Sequence, residues 1–384
     1  VKARTYRYPW RDGNRFRLLV DGAHFFPVML QAIDESRQYI LFEMYLMESG
    51  QIASRFIDAL SRATERGVRT HLLLDHYGAG ELSRHDRRRL IQAGVELVYY
   101  NPVSYGRFHG NLFRDHRKLL LIDGRLAYVG GTGITDDFDP SRHPELSWHE
   151  TMVEVQGPCV ADWHNLFEKN RERWASTPLG IQLPVPEPLP AGRPGRVVMN
   201  APARAEVKRS LLKRIRGARQ RVWIATAYFI PSRKIRRALR RAVARGADVR
   251  LLLPGPLTDL PPVRHAGRRY YGRLLRHGVR IFEYQPRFLH AKVLMCDEWV
   301  SIGSSNVDRW NFSWNLEANQ EIDDPELRGA AGAMFERDFQ ESYEYSCEGW
   351  FARPWYRRWR EWFWGIIEQW MERRTQQRRN RHGP

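Results

Sequence analysis

The chain has 384 residues, 42% of them apolar, and a formal charge of +18 at neutral pH. That length supports two packed domains or one large core, and the charge selects an anionic partner: a lipid surface, a nucleic acid or a polyphosphate. Three cysteines without repeated spacing, Cys159, Cys296 and Cys347, exclude a disulfide framework and a cysteine metal site. No run reaches the roughly eighteen apolar residues that a spanning helix needs. The basic stretch 1–17 lacks the apolar core of a signal peptide, so any membrane attachment is expected to be peripheral.

Residues 40–45 (ILFEMY) form a short apolar run expected to be a buried strand, and 222–228 (VWIATAY) hold the same place in a second half. After each comes a helix pattern, 52–66 and 233–245, closed by a basic last turn and a glycine, Gly67 or Gly246. Next stand the strands THLLLD and VRLLLP, then helices ended by Gly94 and Gly278, each leading into a strand and a polar motif. Strands alternating with helices, taken twice, predict an α/β fold of two similar domains. Each is a β-sheet flanked by helices, and the two pack with pseudo-twofold symmetry.

The first domain is expected over 1–176. Six prolines from Pro178 to Pro194 mark 177–195 as an extended linker, and the second domain follows over 196–345. The remaining 346–384 reads as an amphipathic tail. Its Trp355, Trp359, Trp362, Ile366 and Trp370 recur at helical spacing, and Arg373, Arg374, Arg378, Arg379 and Arg381 follow. Such a helix suits an anionic lipid interface, and it equally suits docking on the protein's own core.

One short pattern occurs in both halves. His116, Lys118 and Asp123 stand in HRKLLLID, and His290, Lys292 and Asp297 stand in HAKVLMCD. On a strand, side chains two apart share a face, so each histidine is expected beside its lysine. The aspartates fall at the strand ends, where structural work is expected: holding a lysine or the N–H groups of the next turn. A glycine-rich or serine-rich turn follows each motif, Gly130-Gly131-Thr132-Gly133 and Gly303-Ser304-Ser305-Asn306. Small residues there are expected to let the backbone approach phosphate and offer N–H groups.

Two histidines and two lysines at matched offsets suit phosphodiester transfer by double displacement. One imidazole attacks phosphorus while the other protonates the leaving oxygen, and the lysines neutralise the phosphate oxygens. No metal or cofactor is expected. Each imidazole needs its far nitrogen held to fix the tautomer. Glu150 (SWHETMVEVQG) and Glu317 (WNLEANQEID) are the candidate carboxylates.

This pattern resembles the phospholipase D superfamily over nearly the whole chain, and within it the bacterial cardiolipin synthases. The resemblance rests on RDHRKLLLIDGRLAYVGGTGITD, on YFIP, on the run HAGRRYYGRLLRHGVRIFEYQPRFLHAK and on SSNVDRWNFSWNLEANQ. It implies one active site between the halves, with His116 as nucleophile and His290 as general acid and base. It marks Glu43, Tyr45 and Tyr228, and the turn residues Gly131, Ser304 and Asn306, as substrate-binding. It implies anionic phospholipids, phosphatidylglycerol and cardiolipin, as substrate and product, handled at the bacterial cell membrane on its cytoplasmic face. The basic surface and the C-terminal helix would make the peripheral contact. No obligate protein partner is implied. A hydrolytic phospholipase D and a nuclease use the same residues and stand as alternatives. Gly133 departs from the family's usual asparagine, Glu150 from its common aspartate, and the second hairpin is one residue shorter, predicting a tighter turn.

Overall fold

A computed structural model of the chain describes residues 6–104, 111, 113–141, 143–181, 186–201, 204–308 and 315–354. The tryptophan face of the tail, from Trp355 onward, lies outside the described residues.

The first half supplies β1 (Arg11–Val20), β2 (Tyr39–Met44), β3 (Arg69–Asp75), β4 (Glu96–Tyr100), β5 (Lys118–Ile122), β6 (Leu126–Gly130) and β7 (Thr151–Gln156). The second half supplies β8 (Arg193–Ala201), β9 (Arg204–Ala205), β10 (Arg221–Ala225), β11 (Phe229–Ile230), β12 (Asp248–Pro254), β13 (Arg280–Tyr284), β14 (Val293–Cys296), β15 (Trp299–Gly303), β16 (Val307–Asp308), β17 (Glu317–Ile322) and β18 (Ser342–Glu344). β8 begins at Arg193, so the last three residues of the expected linker already belong to the sheet.

The two expected sheets are one. The strand order is β18-β13-β12-β10-β14-β15-β17-β8-β1-β7-β6-β5-β2-β3-β4, with β9 beside β8 and the pair β11-β16 separate. β1 and β8 pair antiparallel at its middle. Outward from that pair, β7, β6, β5, β2, β3, β4 on one side match β17, β15, β14, β10, β12, β13 on the other. An antiparallel pair flanked by two matching series is the signature of a twofold relation. Joining at β1 and β8 also gives each half's inner edge a partner for its N–H and C=O groups.

Alternation along the strands divides the core. In β5, Leu119 and Leu121 enter one cluster while Leu120 and Ile122 enter another. The helices Gly22–Asp34 and Gln51–Glu65 cover one face of the first half with Phe25, Phe26 and Phe56. Helices Glu206–Gly217 and Arg233–Ala244 cover the second half with Leu211, Ile215 and Leu239. The opposite face is a single core shared by both halves. Trp163 and Phe167 of helix Cys159–Arg171 meet it from one end, and Met334 and Phe335 of helix Pro325–Gln340 from the other. The helix stops expected at Gly67 and Gly246 are present, both with positive φ.

The start of the tail docks on the protein. Trp350, in the short helix Cys347–Phe351, is buried with its ring 5.0 Å from Tyr271 and 5.1 Å from Tyr345. Among the described residues no helix is long and apolar enough to cross a membrane.

Candidate active site

Both motifs begin just ahead of their strands, because β5 starts at Lys118 and β14 at Val293. The histidines therefore sit on extended lead-in segments rather than inside the strands as expected. Each lead-in is hydrogen-bonded to the opposite half. His116 N–H donates to Leu316 O at 3.0 Å, and Leu316 N–H to Arg114 O at 2.9 Å. His290 N–H donates to His149 O at 2.8 Å, and His149 N–H to Phe288 O at 2.8 Å. Residue 316 precedes Glu317 and residue 149 precedes Glu150, so this stitching brings each carboxylate to the other half's imidazole.

His290 Nδ1 donates to Glu150 Oε2 at 2.5 Å. His116 Nδ1 lies 3.2 Å from Glu317 Oε1 and 3.4 Å from Oε2. An ionised carboxylate only accepts, so each Nδ1 carries hydrogen and each Nε2 is left as the reactive nitrogen. Among the described residues none hydrogen-bonds either Nε2. Lys292 Nζ donates to Glu150 Oε2 at 3.1 Å and lies 2.8 Å from His290 Nδ1. Lys118 Nζ donates to His116 O at 2.7 Å. Tyr45 locates both groups of the first motif, its ring 4.6 Å from the His116 ring and 5.1 Å from Lys118 Nζ. The pairing of histidine and lysine on one side thus holds in both motifs.

Electrostatic coupling ties the two motifs into one site. Burial, then Lys118, lowers the pKa of His116, and Lys292 of the other motif adds to it. His290 is driven down to about 3 by burial first and Lys292 second, against the pull of Glu150. Trp148, Phe138 and Phe288 make its surroundings apolar, with ring centroids 5.1, 5.5 and 5.6 Å from its own. Burial lowers Lys118 to about 7, with Glu317 opposing and Lys292 assisting. Lys292 is lowered as well, by burial above all. Burial acts to raise Glu150, but Lys292 and His290 outweigh it and keep the carboxyl ionised.

The turn residues serve a purpose other than the one expected. Gly131 N–H is spent on Thr151 O at 3.3 Å and Ser304 N–H on Ala318 O at 3.1 Å, so neither is offered to phosphate. Their smallness makes room for the carboxylates instead. A Cβ at Gly131 would fall 2.2 Å from Glu150 Oε2, and the Ser304 hydroxyl donates to Glu317 Oε2. Asn306 is different. Its Oδ1 accepts from Tyr228 N–H at 3.2 Å and Thr226 Oγ1 at 3.1 Å, while its buried Nδ2 has no partner among the described residues. At Gly133, the matching position, the Leu46 side chain fills the space within 3.0 Å of where a Cβ would stand.

Two further expectations need correction. Glu43 is fully buried and does not face a substrate. It accepts from Asn170 Nδ2 at 2.8 Å and lies 3.5 Å from Arg117, because β2 is a central strand whose alternate residues point into the shared core. Asp123 and Asp297 hold neither a lysine nor the turn that follows them. Asp123 accepts from the N–H groups of Arg37, Gln38 and Tyr39 at 2.8 to 2.9 Å. Asp297 repeats this with Arg219, Gln220 and Arg221 at 2.9 to 3.0 Å. Both sit at positive φ in the hairpin turn, a conformation aspartate tolerates. They pin the hairpin to the start of the adjoining strand. The second hairpin is the tighter one, two residues between paired Cys296 and Trp299 against three between Ile122 and Leu126.

Sequence reasoning missed Asp259, which accepts from Tyr228 Oη and lies close enough to Lys292 for their charges to interact. It stands in a proline-rich loop where nothing marks it. It also missed His149, whose Nδ1 is 2.7 Å from Asp21 and Nε2 3.1 Å from Asp338. Its position next to Glu150 was the available signal. Among the described residues no group of three or more His, Cys, Asp or Glu is placed to hold a metal ion.

A duplicated α/β sheet whose two His-x-Lys pairs share carboxylates across the halves defines the phospholipase D class of phosphodiester-processing proteins. A family model described as "Cardiolipin synthase, PLD-like domain" matches residues 29–169 and 211–339, and the chain belongs to that family. It is 35% identical to cardiolipin synthase A of Pseudomonas aeruginosa, over 90% of this chain and 71% of that one. It is 34% identical to cardiolipin synthase B of Escherichia coli, over 82% and 78%, and 32% identical to a probable cardiolipin synthase of Bacillus subtilis, over 88% and 69%. The fold is that of phosphatidylserine synthase from Haemophilus influenzae, with a TM-score of 0.68 at 12% identity over 94% of this chain and 93% of that one.

Proposed function

We propose that this chain is a cardiolipin synthase, a phosphatidyltransferase that joins two phosphatidylglycerol molecules and releases glycerol. The observation that carries the reading is the crossed pairing of Glu150 with His290 and Glu317 with His116, taken with the likeness to named cardiolipin synthases.

His116 Nε2 attacks the phosphorus of the first phosphatidylglycerol, and the phosphorus–oxygen bond to glycerol breaks. The departing alkoxide takes the proton on His290 Nε2 and leaves as glycerol. His290 Nε2 then accepts the proton from a hydroxyl of the second phosphatidylglycerol, whose oxygen attacks phosphorus. The phosphorus–nitrogen bond breaks, giving cardiolipin and free His116. Lys118, Lys292 and the unused Nδ2 of Asn306 are the donors for the phosphoryl oxygens. Tyr45 and Tyr228 line the approach. Gly131 and Ser304 act through the carboxylates they accommodate, and Asp123 and Asp297 through the hairpins they pin. Because burial holds His290 neutral before substrate binds, its acid proton is taken up from solvent as the anionic diester binds and its charge favours imidazolium.

The substrates are anionic phospholipids, and the protein works in association with a membrane. We place it peripherally on the cytoplasmic face of a bacterial cell membrane, with a first domain over 1–176, a second over 196–345 and the 346–384 tail as an additional contact. The test is incubation of the purified chain with phosphatidylglycerol micelles, following cardiolipin, phosphatidic acid and glycerol together. Cardiolipin with equivalent glycerol is expected. Phosphatidic acid alone makes the protein a hydrolytic phospholipase D, and cleavage of DNA with neither lipid product makes it a nuclease.

A further inference from the structure

Seven large apolar side chains stand exposed among the described residues, and five of them, Tyr77, Val103, Leu146, Leu257 and Leu260, are on loops. The sheet register shows where those loops lie. Lys118 pairs with Met44 at the end of β2, and β3 and β4 run parallel to β2. The loops that leave β3 and β4, carrying Tyr77 and Val103, therefore emerge at the catalytic end of the sheet. In the second half Val293 pairs with Ala225 at the end of β10, and β12 runs parallel to it. The loop after β12, with Leu257 and Leu260, emerges at the same end. Leu146 lies on the segment that enters β7 through Glu150. Of the other two exposed residues, Ile91 is at the opposite end, on the last turn of the returning helix Arg84–Gln92, and Tyr343 is on the outermost strand, paired with Glu283 near the end of β13.

Charge accompanies this rim. Helix Arg233–Ala244 starts at the catalytic end and opens on exposed Arg233 and Lys234 with no acid in its first turn. That turn ordinarily favours negative charge, because it carries the positive end of the helix dipole. Cations placed there cost stability unless an anion approaches from outside. Exposed leucines and exposed cations at one end of the sheet match one kind of surface, in which anionic headgroups lie immediately above acyl chains.

We infer that the loops bearing Tyr77, Val103, Leu146, Leu257 and Leu260 are a membrane-docking rim that seats the catalytic end of the sheet on an anionic bilayer. The inference rests on the lipid-transferring reading of the site. The rim lets a phospholipid headgroup reach the imidazoles while its acyl chains stay in the bilayer, so no whole lipid has to be extracted into water. It also makes docking a property of the two folded halves, independent of the tail.

The test compares wild type, Leu146→Ser/Leu257→Ser and the control Ile91→Ser, all full-length, on phosphatidylglycerol vesicles. Flotation reads binding, and monomeric short-chain phosphatidylglycerol reads chemistry without a surface. Serine removes apolar area and leaves charge unchanged. The rim variant is expected to lose about tenfold or more in vesicle affinity, since full burial of one leucine is worth about that factor, with turnover of the monomeric lipid retained. Wild-type binding in the rim variant overturns the inference, as does an equal loss in the control or no vesicle binding by wild type. If wild type binds vesicles through the rim but turns over neither lipid form, the docking inference stands and the synthase reading falls.

Discussion

Glu150, from the first half of the chain, accepts the Nδ1 proton of His290, from the second half, at 2.5 Å. The looser reciprocal contact joins Glu317 to His116. Neither motif histidine therefore finds its carboxylate within its own half, and the two pairs form only when both halves fold together. The crossing also makes a prediction about which carboxylate serves which step.

An imidazole acting as general acid matters only when the leaving group is basic. With phosphatidylglycerol, Glu150→Gln and His290→Ala are expected to lower kcat by ~10²–10⁴. With a p-nitrophenyl phosphodiester, which leaves without a proton, most of that loss should disappear from the first-turnover burst of p-nitrophenolate, while breakdown of the phosphohistidine still needs His290 as base. Glu317→Gln and His116→Ala should depress both substrates alike, because they impair the nucleophile. A comparison of the loss on phosphatidylglycerol with the burst rate on the p-nitrophenyl diester decides it. Recovery in the Glu317 pair rather than the Glu150 pair would reverse the roles of the histidines.

The pKa of Lys118 sits at about 7 because burial disfavours its charge. An anionic diester favours the ammonium and raises the pKa. Above pH 7 binding must then draw a proton from solution, and affinity should weaken as pH rises. Titration calorimetry in buffers of different ionisation enthalpy measures the uptake. Arginine stays charged throughout, so Lys118→Arg should take up about one proton fewer at pH 8. Unchanged uptake in that variant would show that Lys118 is already cationic before substrate arrives.

Asp297 loses its three N–H contacts in Asp297→Ala, and the new residue must hold a positive φ. Burial acts to raise its pKa, but those N–H groups outweigh it and hold the carboxyl low. Its contribution is present above the unfolded carboxylate's pKa and fades as acid protonates it below that. Asp297→Ala is expected to lower stability by about 1–3 kcal/mol in denaturant melts at neutral pH. The folded fraction should keep kcat within a few-fold. Loss of kcat without loss of stability would put the aspartate in the chemistry.

His149 is held between Asp21 and Asp338 with its pKa raised to about 10, the two hydrogen-bonded carboxylates overcoming burial. A raised histidine stabilises the fold fully below its unfolded pKa, near 6.5, and progressively less as pH climbs to 10. Asp21, lowered to about 2 by His149 and Arg287 against burial, limits the window on the acid side. His149→Ala leaves buried carboxylate charge uncompensated and should cost about 3 kcal/mol at pH 5–6, with the difference from wild type shrinking above pH 8. Since its backbone pairs with His290 and its neighbour is Glu150, kcat should fall as well, which a purely peripheral ion pair would not cause.

Sequence alone determined the duplicated α/β order, the helix stops at Gly67 and Gly246, and the His-x-Lys pairs, because strand period, helix capping and matched spacing are local properties. It marked Glu150 and Glu317 as carboxylates for the imidazoles, since each follows its motif by a similar interval and stands in a strand-like run. Only the tertiary structure decided which carboxylate meets which histidine. That depends on hydrogen bonds from residues 116 and 290 to backbone far away in the chain. It likewise decided that Glu43 is buried rather than exposed to substrate, that Gly131 yields space to a carboxylate rather than an N–H to phosphate, and that the two halves complete one sheet through β1 and β8. These outcomes follow from what lies across the sheet from each residue, and no window of local sequence contains that neighbour.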